Sequence, residues 1–479
     1  MYQLNNKYLP CFIRPRHFVS DLGRHCLHDR SGVKKGSRAT YVAALLVLAF
    51  ITSPLMAQEK SPEPLQRSNA DLAAMVQSQP QAPPTPAKRP ITIADAVSIF
   101  LERNFQLVAA RYDIDTAEAE KLTARLRPNP QVTVGFQGLP LNLSGNPLTE
   151  QQYSYGISQT FELGGKRSKR IDAANKNADV AQAQFQMVMW QLTNDLKKKF
   201  YTVLLDESLL KLAQENEKTF EEIIKHTSEL VQLGEISGLD LTRLEVEKLK
   251  FDTDVANSER DYELALRDLR VTLGGDYRAA DIEAVGTIDY QPYQFSFTDL
   301  RDKAFAARPD LKAAKLSESA ADASIRLQDS QRIPDVNLGA GITQVPGGTS
   351  TYTFGVGVTL PVYDRNQGER AKALIEKRKA QNQEQLVTNQ ILGDVDKALV
   401  AFEIQKRRVD LYRSGVLAKV NDIQNLTEFS LRAGESSTLD LLDAIRTRRE
   451  TLANFYQTLF DYQSSLLDLE LATATSLQK

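Results

Sequence analysis

The sequence predicts a mixed α and β membrane protein, with long antiparallel α-helical hairpins walling a tunnel and four amphipathic β-strands joining those of other chains in a barrel. Three observations carry that prediction. A pattern recurs after about 200 residues; short segments alternate apolar with small polar residues; and each copy holds a helical stretch of nearly 70 residues.

The 479 residues, 42% hydrophobic and 25% charged, suffice for two or three domains. With 8% aromatics, 24 Gly and 19 Pro, the chain is neither collagen-like, low-complexity nor a disulfide-stapled miniprotein. Lys34, Lys35 and Arg38 precede an apolar run from Tyr41 to Ile51 and then Ser53, Pro54, Leu55, Met56 and Ala57, the order of a secretory signal. Residues 1–57 are therefore expected to be a leader cleaved after Ala57. The run is too short to span a bilayer as a helix, and Gln58, not Cys, follows the expected cut, which argues against a lipid anchor. Cys11 and Cys26 both precede it, so no disulfide or thiolate site is expected beyond it. Past Ala57 there are 51 basic and 59 acidic residues, a balance of −8 that disfavours nucleic acid as a partner. No later run reaches the 18 apolar residues of a membrane helix, so a membrane location has to be built from strands.

Residues 58–90, rich in Pro and Gln, read as a periplasmic linker. Two structural repeats follow, 91–290 and 291–479. A shift of 204 sets Asp95 on Asp299, Leu107 on Leu311, Pro130 on Pro334 and Gly135 on Gly339, and a shift of 200 sets Gly234, Glu235 and Asp240 on Gly434, Glu435 and Asp440.

Each copy reads helix, strand, strand, very long helix, turn, helix. The first helix is expected over Ala94–Arg127, ended by Pro128 and Pro130. Val132, Val134 and Phe136 then share one face, as do Tyr153, Tyr155, Ile157 and Phe161, opposite Thr133, Gly135, Ser154, Gly156, Ser158 and Thr160. In the second copy Tyr352, Phe354, Val356, Val358 and Leu360 oppose Thr353, Gly355, Gly357 and Thr359. A soluble antiparallel sheet shows the same alternation, but strands of nine to eleven residues behind an export signal suit lipid on one side and water on the other. Four strands cannot close, and an open edge cannot face lipid, so several chains must pool theirs. Two chains give eight strands around a filled interior; three give twelve and begin to leave a bore.

From Lys166 to Leu233 there is no Pro or Gly, roughly 100 Å of helix at 1.5 Å per residue. Gln367 to Ala433 matches it apart from Gly368, Gly393 and Gly415. The shorter first and last helices of a copy, placed end to end, equal the long one and are expected to lie alongside it. At the strand-to-helix joints, Gly164, Gly165 and Pro361 relieve or fix the backbone.

With its duplicated element order, Phe161–Arg167 at the first joint and Leu360–Gly368 at the second, the chain resembles the TolC family of trimeric outer-membrane efflux ducts over nearly all of 91–475. Arg127, Pro128, Asn129 and Pro130, with the Glu-Leu-Gly-Gly-Lys-Arg and Asp-Arg-Asn-Gln-Gly stretches, resemble its cobalt-zinc-cadmium resistance branch. The resemblance implies a homotrimer with a 12-stranded barrel in outer-membrane lipid, a periplasmic membrane-fusion adaptor and an inner-membrane pump of the RND type. It places adaptor docking at two tips: Leu233, Gly234, Glu235, Ile236 and Ser237, and Ala433, Gly434, Glu435, Ser436 and Ser437. It also places a periplasmic gate at Asp240, Asp440 and Asp443, a ring that repels itself and attracts cations. The family's latch partners of Asp240 are a Tyr and an Arg; Leu431 and Ser436 stand there instead, so closure needs other contacts.

No catalytic constellation is present and no cofactor is expected. His17, His25 and His28 lie in the leader, and His226 stands alone on a long helix. The expected activity is passive export of divalent heavy-metal cations. Multidrug efflux and type I protein secretion are alternatives within the family; a periplasmic coiled-coil adaptor is the alternative outside it.

Overall fold

The computed structural model describes residues 89–138, 151–234, 237–274, 282–345, 348–433 and 435–477. The expected leader and linker lie outside these, except for the linker's last two residues. Arg89 and Pro90 belong instead to strand β1 (Arg89–Ile91), which pairs in parallel with β4 (Ile282–Ala284). A two-stranded ribbon has only edges, where a proline is tolerated.

Helix α1 (Ile93–Arg103) starts in a capping box, with the Asp95 amide donating to the Thr92 hydroxyl and the Thr92 amide to the Asp95 carboxylate. The single helix expected over Ala94–Arg127 is broken at Asn104, which has extended ψ and whose Oδ1 accepts the Leu107 amide to start α2 (Phe105–Arg125). Helix α1 then buries Ala96 and Phe100 against Leu196, Phe200, Leu266 and Leu269. Strands β2 (Gln131–Gln137) and β3 (Gln152–Phe161) form an antiparallel pair. Helix α3 (Lys166–Gln232) runs unbroken for 67 residues, and α4 (Gly238–Thr272) returns along it.

The second half repeats the order with α5 (Phe297–Ala307), α6 (Pro309–Gln331), β5 (Val336–Gln344), β6 (Thr351–Val358), α7 (Gln367–Leu411), α8 (Leu417–Arg432) and α9 (Thr438–Thr473). The long helix expected from Gln367 to Ala433 is interrupted between α7 and α8 by a π-turn, Tyr412–Val416, in which Gly415 has φ +122°.

Short helices do stack end to end beside the long ones. The Asn104 amide group donates to Thr272 O at 2.7 Å, joining the start of α2 to the end of α4. In the other half Arg308 donates to Ala472 O at 3.3 Å, joining α6 to α9. Arg308 stands 204 residues after Asn104, so the same junction is built by unlike side chains. Arg308 is buried and held by Asp310 at 2.6 Å and Asp394 at 3.1 Å. Gly274 closes the first junction at φ +71°, where a Cβ would sit 2.3 Å from Arg103 O, so only glycine fits.

The sheet order is β2-β3-β5-β6, every neighbour antiparallel. Beneath it, α2 packs on α3, α3 on α6 and α6 on α7, the same order. Toward the tips, α4, α3, α9 and α8 follow in that sequence. Strand and helix layers thus share two lateral edges, β2 with α2 and β6 with α7. Both carry exposed apolar stripes: Phe105, Val108, Tyr112 and Leu122 on α2, and Ile375, Leu386, Val400, Ile404 and Leu411 on α7.

Candidate functional site

The wall begins with the sheet. In cross-strand register, Val132 stands by Ile157, Val134 by Tyr155, and Phe136 by Tyr153. Tyr352, Phe354, Val356 and Val358 stand by Ile342, Ala340, Leu338 and Val336. These side chains form one apolar face; most are exposed, whereas Tyr153 is half-buried edge-on against Phe136 at 5.5 Å. The third strand's share, Leu338, Ala340 and Ile342, was not singled out from sequence, although it alternates with Asn337, Gly339, Gly341 and Thr343. Gln159 also falls on this face and was passed over; its side chain donates to Pro128 O at 2.8 Å, at the strand end. Across the opposite face run the rows Gln131-Ser158-Gly339-Gly355, Thr133-Gly156-Gly341-Thr353 and Gly135-Ser154-Thr343-Thr351, none of which carries a charge.

At the first joint Gly164 and Gly165 both take φ +69°. The basic residues there are committed to structure. Lys166 is buried and pairs with Asp335 at 2.7 Å; Arg167 donates to Arg125 O at 2.8 Å; Arg170 pairs with Glu162 at 2.6 Å and caps α2 through Ala124 O and Leu126 O. At the second joint Pro361 centres a tight turn, Val362 N donating to Leu360 O. The left-handed residue there, however, is Asn366 (φ +60°), which also donates to Gln328 O at 2.9 Å. Asparagine is the residue besides glycine that tolerates this conformation, a signal available in the sequence.

The two joint glycines differ in what surrounds them. A Cβ on Gly164 would meet Ile333 Cδ1 at 2.5 Å, whereas none would touch anything within 4 Å of Gly165. Gly165→Ala is expected to cost about 1–2 kcal/mol for the left-handed backbone alone. Gly164→Ala should cost about 2–4 kcal/mol because overpacking is added. Thermal unfolding in detergent should rank the parent above Gly165→Ala and that above Gly164→Ala.

At the tips, Ser237 caps α4 through the Leu239 amide, and Gly234 takes φ +79°. Glu235, Ile236 and Gly434 lie outside the described residues. Leu233, Leu239, Phe429, Ala433, Glu435 and Leu439 are exposed, while Ser436 donates to Thr427 O at 3.2 Å. Ser437 forms a capping box with Asp440: its amide donates to the carboxylate at 2.9 Å, its hydroxyl at 2.7 Å. Those hydrogen bonds hold the Asp440 carboxyl below its ordinary value. Asp443, one turn on, is exposed, and Asp240 lies 3.5 Å from Arg243. Asp240 and Asp440 thus open the second helix of their respective hairpins.

Between the hairpins, three arginines on one stretch of α9 reach three different helices. Arg446 pairs with Glu247 on α4; Arg448 donates to Asn421 on α8 at 2.9 Å and reaches Asn216 on α3 at 3.5 Å; Arg449 pairs with Asp254 on α4 and lies 5.6 Å over Phe251. They surround a core of Phe220, Leu244, Phe251, Leu441, Leu442 and Ile445. Sequence reading did not single them out, because a run of Arg on a helix reads as a solvated face.

Higher on α3, burial pushes the Asp206 carboxyl up to about 6, with the Asp261 carboxylate adding to the rise. A raised carboxyl value means the folded chain binds the extra proton, so its contribution to stability falls as pH rises from about 4 to 6. The shift converts to about 3 kcal/mol if undamped; for a half-buried group, on the order of 1 kcal/mol is expected. Asp206→Asn should therefore raise the unfolding temperature at pH 8 and leave it unchanged at pH 4.

Among the described residues no group of three or more His, Cys, Asp or Glu side chains could hold a metal ion, and His226 is exposed on α3. No described helix is long and apolar enough to cross a membrane.

The family model described as "Outer membrane efflux protein" matches residues 96–275 and 300–475. The cobalt-zinc-cadmium resistance protein CzcC of Cupriavidus metallidurans is 26% identical over 365 residues, covering 76% of this chain and 85% of that one. The nickel and cobalt resistance protein CnrC of the same organism is 26% identical over 264 residues, 54% of this chain and 61% of its own. Among solved structures, a crystal structure of CusC, described in terms of folding and transmembrane channel formation, superposes with a TM-score of 0.67 at 19% identity. It covers 80% of this chain and 91% of that one.

Proposed function

We propose a cargo and an assembly from a premise that the family match shows: this chain belongs to the outer membrane efflux protein family. It is an outer-membrane efflux channel. The proposed assembly is a homotrimer whose four strands per chain close into a barrel of twelve, continued by a helical tunnel through the periplasm. One observation carries it. Sheet and helix layers end at the same two lateral edges, β2 with α2 and β6 with α7, and each leaves an unpaired strand beside an exposed apolar stripe. Successive antiparallel neighbours put β2 and β6 in opposite directions, so β6 of one copy and β2 of the next extend the sheet in the same antiparallel sense. That contact is head-to-tail and closes by rotation.

In this assembly the apolar face of Val132, Phe136, Phe354 and Val356 meets lipid, and the rows of Ser, Thr and Gly line the bore. The tips carrying Leu233 and Ala433 receive a periplasmic adaptor, which couples the duct to an energised inner-membrane pump. Asp240, Asp440 and Asp443 surround the periplasmic mouth. Residues 1–57 act as the export signal and 58–88 as a linker, and the two halves from 91 onward are copies of one ancestral unit.

The proposed cargo is divalent heavy-metal cations, supported by the likeness to CzcC and CnrC over much of this chain. Deleting the gene is expected to lower tolerance to zinc, cobalt or cadmium, measured by growth, and re-expression to restore it. Unchanged metal tolerance with lost drug tolerance would replace this cargo with a drug.

A further inference from the structure

The duplication makes a seam between two chains readable from the seam inside one. Within the chain β3 lies against β5, and the helix-side ends of all four strands fall at one level: Gln131 pairs with Ser158, Phe161 with Val336, and Val336 with Val358. At that level the in-chain seam is neutralised by its own ion pair. Lys166 reaches across from the first joint to Asp335 at 2.7 Å, and the Leu163 amide donates to the same carboxylate at 3.1 Å. Ile333 lies against Gly164, where a Cβ would come 2.5 Å from Ile333 Cδ1.

The seam between copies sets β6 of one against β2 of the next, and its corresponding positions carry other charges. Gly165 and Asn366 are each the left-handed residue that starts a long helix, so Gln367 takes the place of Lys166, and Arg365 that of Gly164. Pro130 corresponds to Pro334, so Gln131 takes the place of Asp335, and Asn129 that of Ile333. Neutral amides thus replace both members of the ion pair, while a guanidinium stands where the in-chain seam has glycine, close to Arg127 of the neighbour. Arg125, Arg127 and Arg365 are exposed, and none of their side chains has a partner among the described residues. The carboxylate in these stretches, Asp364, already accepts the Asn366 amide at 2.9 Å, and farther along α7 Arg370 is paired with Asp329 at 2.5 Å.

Depth says what compensates the arginines. Leu360 continues the apolar face of β6, so the joint sits at the periplasmic rim of that face, where Leu126, Val362 and Tyr363 are exposed, Tyr363 by 93%. An aromatic ring with a polar tip, at the edge of an apolar band, belongs at the level of lipid headgroups. Guanidinium forks beside it match the oxygens of a phosphate.

We propose that each seam between copies binds a phospholipid of net negative headgroup from the periplasmic leaflet, its phosphodiester held between Arg365 of one copy and Arg127 of the next, with Tyr363 alongside. This rests on the reading of β6 and β2 as neighbours in a trimer. The lipid supplies between copies the negative charge that Asp335 supplies within one, and so ties the copies together.

The test offers the detergent-extracted complex equal amounts of phosphatidylglycerol and phosphatidylethanolamine with the same acyl chains, and counts bound lipid by native mass spectrometry. The parent is expected to retain phosphatidylglycerol in preference, and to separate into single chains at a higher temperature when it is present. Arg127→Gln with Arg365→Gln should lower its affinity about fivefold for each guanidinium removed. Arg103→Gln with Arg407→Gln, exposed arginines without partners away from the joints, should leave it unchanged. Equal retention of the two lipids by the parent overturns the proposal, even where the joint variant does not assemble. Full retention in the joint variant, or an equal loss in the control, overturns it as well. Inorganic phosphate at millimolar concentration is expected not to raise the separation temperature; if it matches phosphatidylglycerol, the seam takes a free anion and the lipid is refuted. A particle of other than three chains refutes the trimer itself, whereas a trimer indifferent to headgroup refutes the lipid site alone.

Discussion

Arginine at Val134 or Phe354 is expected to abolish assembled channel in the outer membrane, whereas arginine at Thr353 is expected to assemble and conduct differently. Val134 and Phe354 lie near the middle of β2 and β6 on the exposed apolar face, and Thr353 adjoins Phe354 on the other face. A cation on the lipid face at mid-depth costs about 2–4 kcal/mol per chain, and every chain of the oligomer would bear it. That loss is comparable with the whole stability margin of an ordinary domain, about 5–15 kcal/mol. On the bore side the guanidinium remains in water and changes only the local field. Outer-membrane fractionation and heat-modifiable migration measure the first effect, and single-channel conductance the second. Equal assembly of both variants would mean that the apolar face does not meet lipid.

Removing the acidic pair at the second tip, Asp440→Ala with Asp443→Ala, is expected to raise conductance. Cation preference should fall by a factor of about ten or more, the scale on which clefts of one charge sign concentrate counter-ions. The structure separates the roles of the two residues. Asp440 also closes the capping box with Ser437, so its removal loosens the start of α9, whereas Asp443 is exposed and takes no part in the cap. Asp443→Asn should therefore lower cation preference with the tip intact, and Asp440→Asn should add fraying of α9. Because Ser437 holds the Asp440 carboxyl low, its capping contribution is full above the ordinary aspartate value and is lost only as pH falls below it. Cation preference carried by Asp440 should persist down to about pH 4. Currents identical in parent and double variant would show that these carboxylates do not face the conduction path.

The features most legible in the sequence were those set by period and by the absence of breakers. Lys166–Leu233 was expected as one helix and Lys166–Gln232 is observed, because nothing in that stretch disfavours helix. Strand faces followed from alternation, and the end-to-end stacking of short helices from their lengths. Breaks made by residues that are only weak helix formers were illegible. Asn104 ends one helix and caps the next by tertiary bonding to Thr272 and local bonding to Leu107, neither visible in a sequence window. Gly415 was noted as an interruption, but a lone glycine inside a helical pattern does not distinguish a tolerated residue from a π-turn. At the second joint Pro361 drew notice while Asn366 takes the left-handed backbone; the asparagine was a signal available in the sequence, but the proline beside the strand end masked it. At the tips, the tie between hairpins lies in Arg446 and Arg449, whose partners on α4 are nearly 200 residues away.

The central claim is that one chain supplies only part of the wall and that three complete it. The direct measurement is the mass of the functional, detergent-extracted complex, by native mass spectrometry or light scattering with the detergent subtracted, on the same material that conducts in bilayers. The account predicts three chains per conducting particle. A conducting particle of one chain, or of any number other than three, would contradict it.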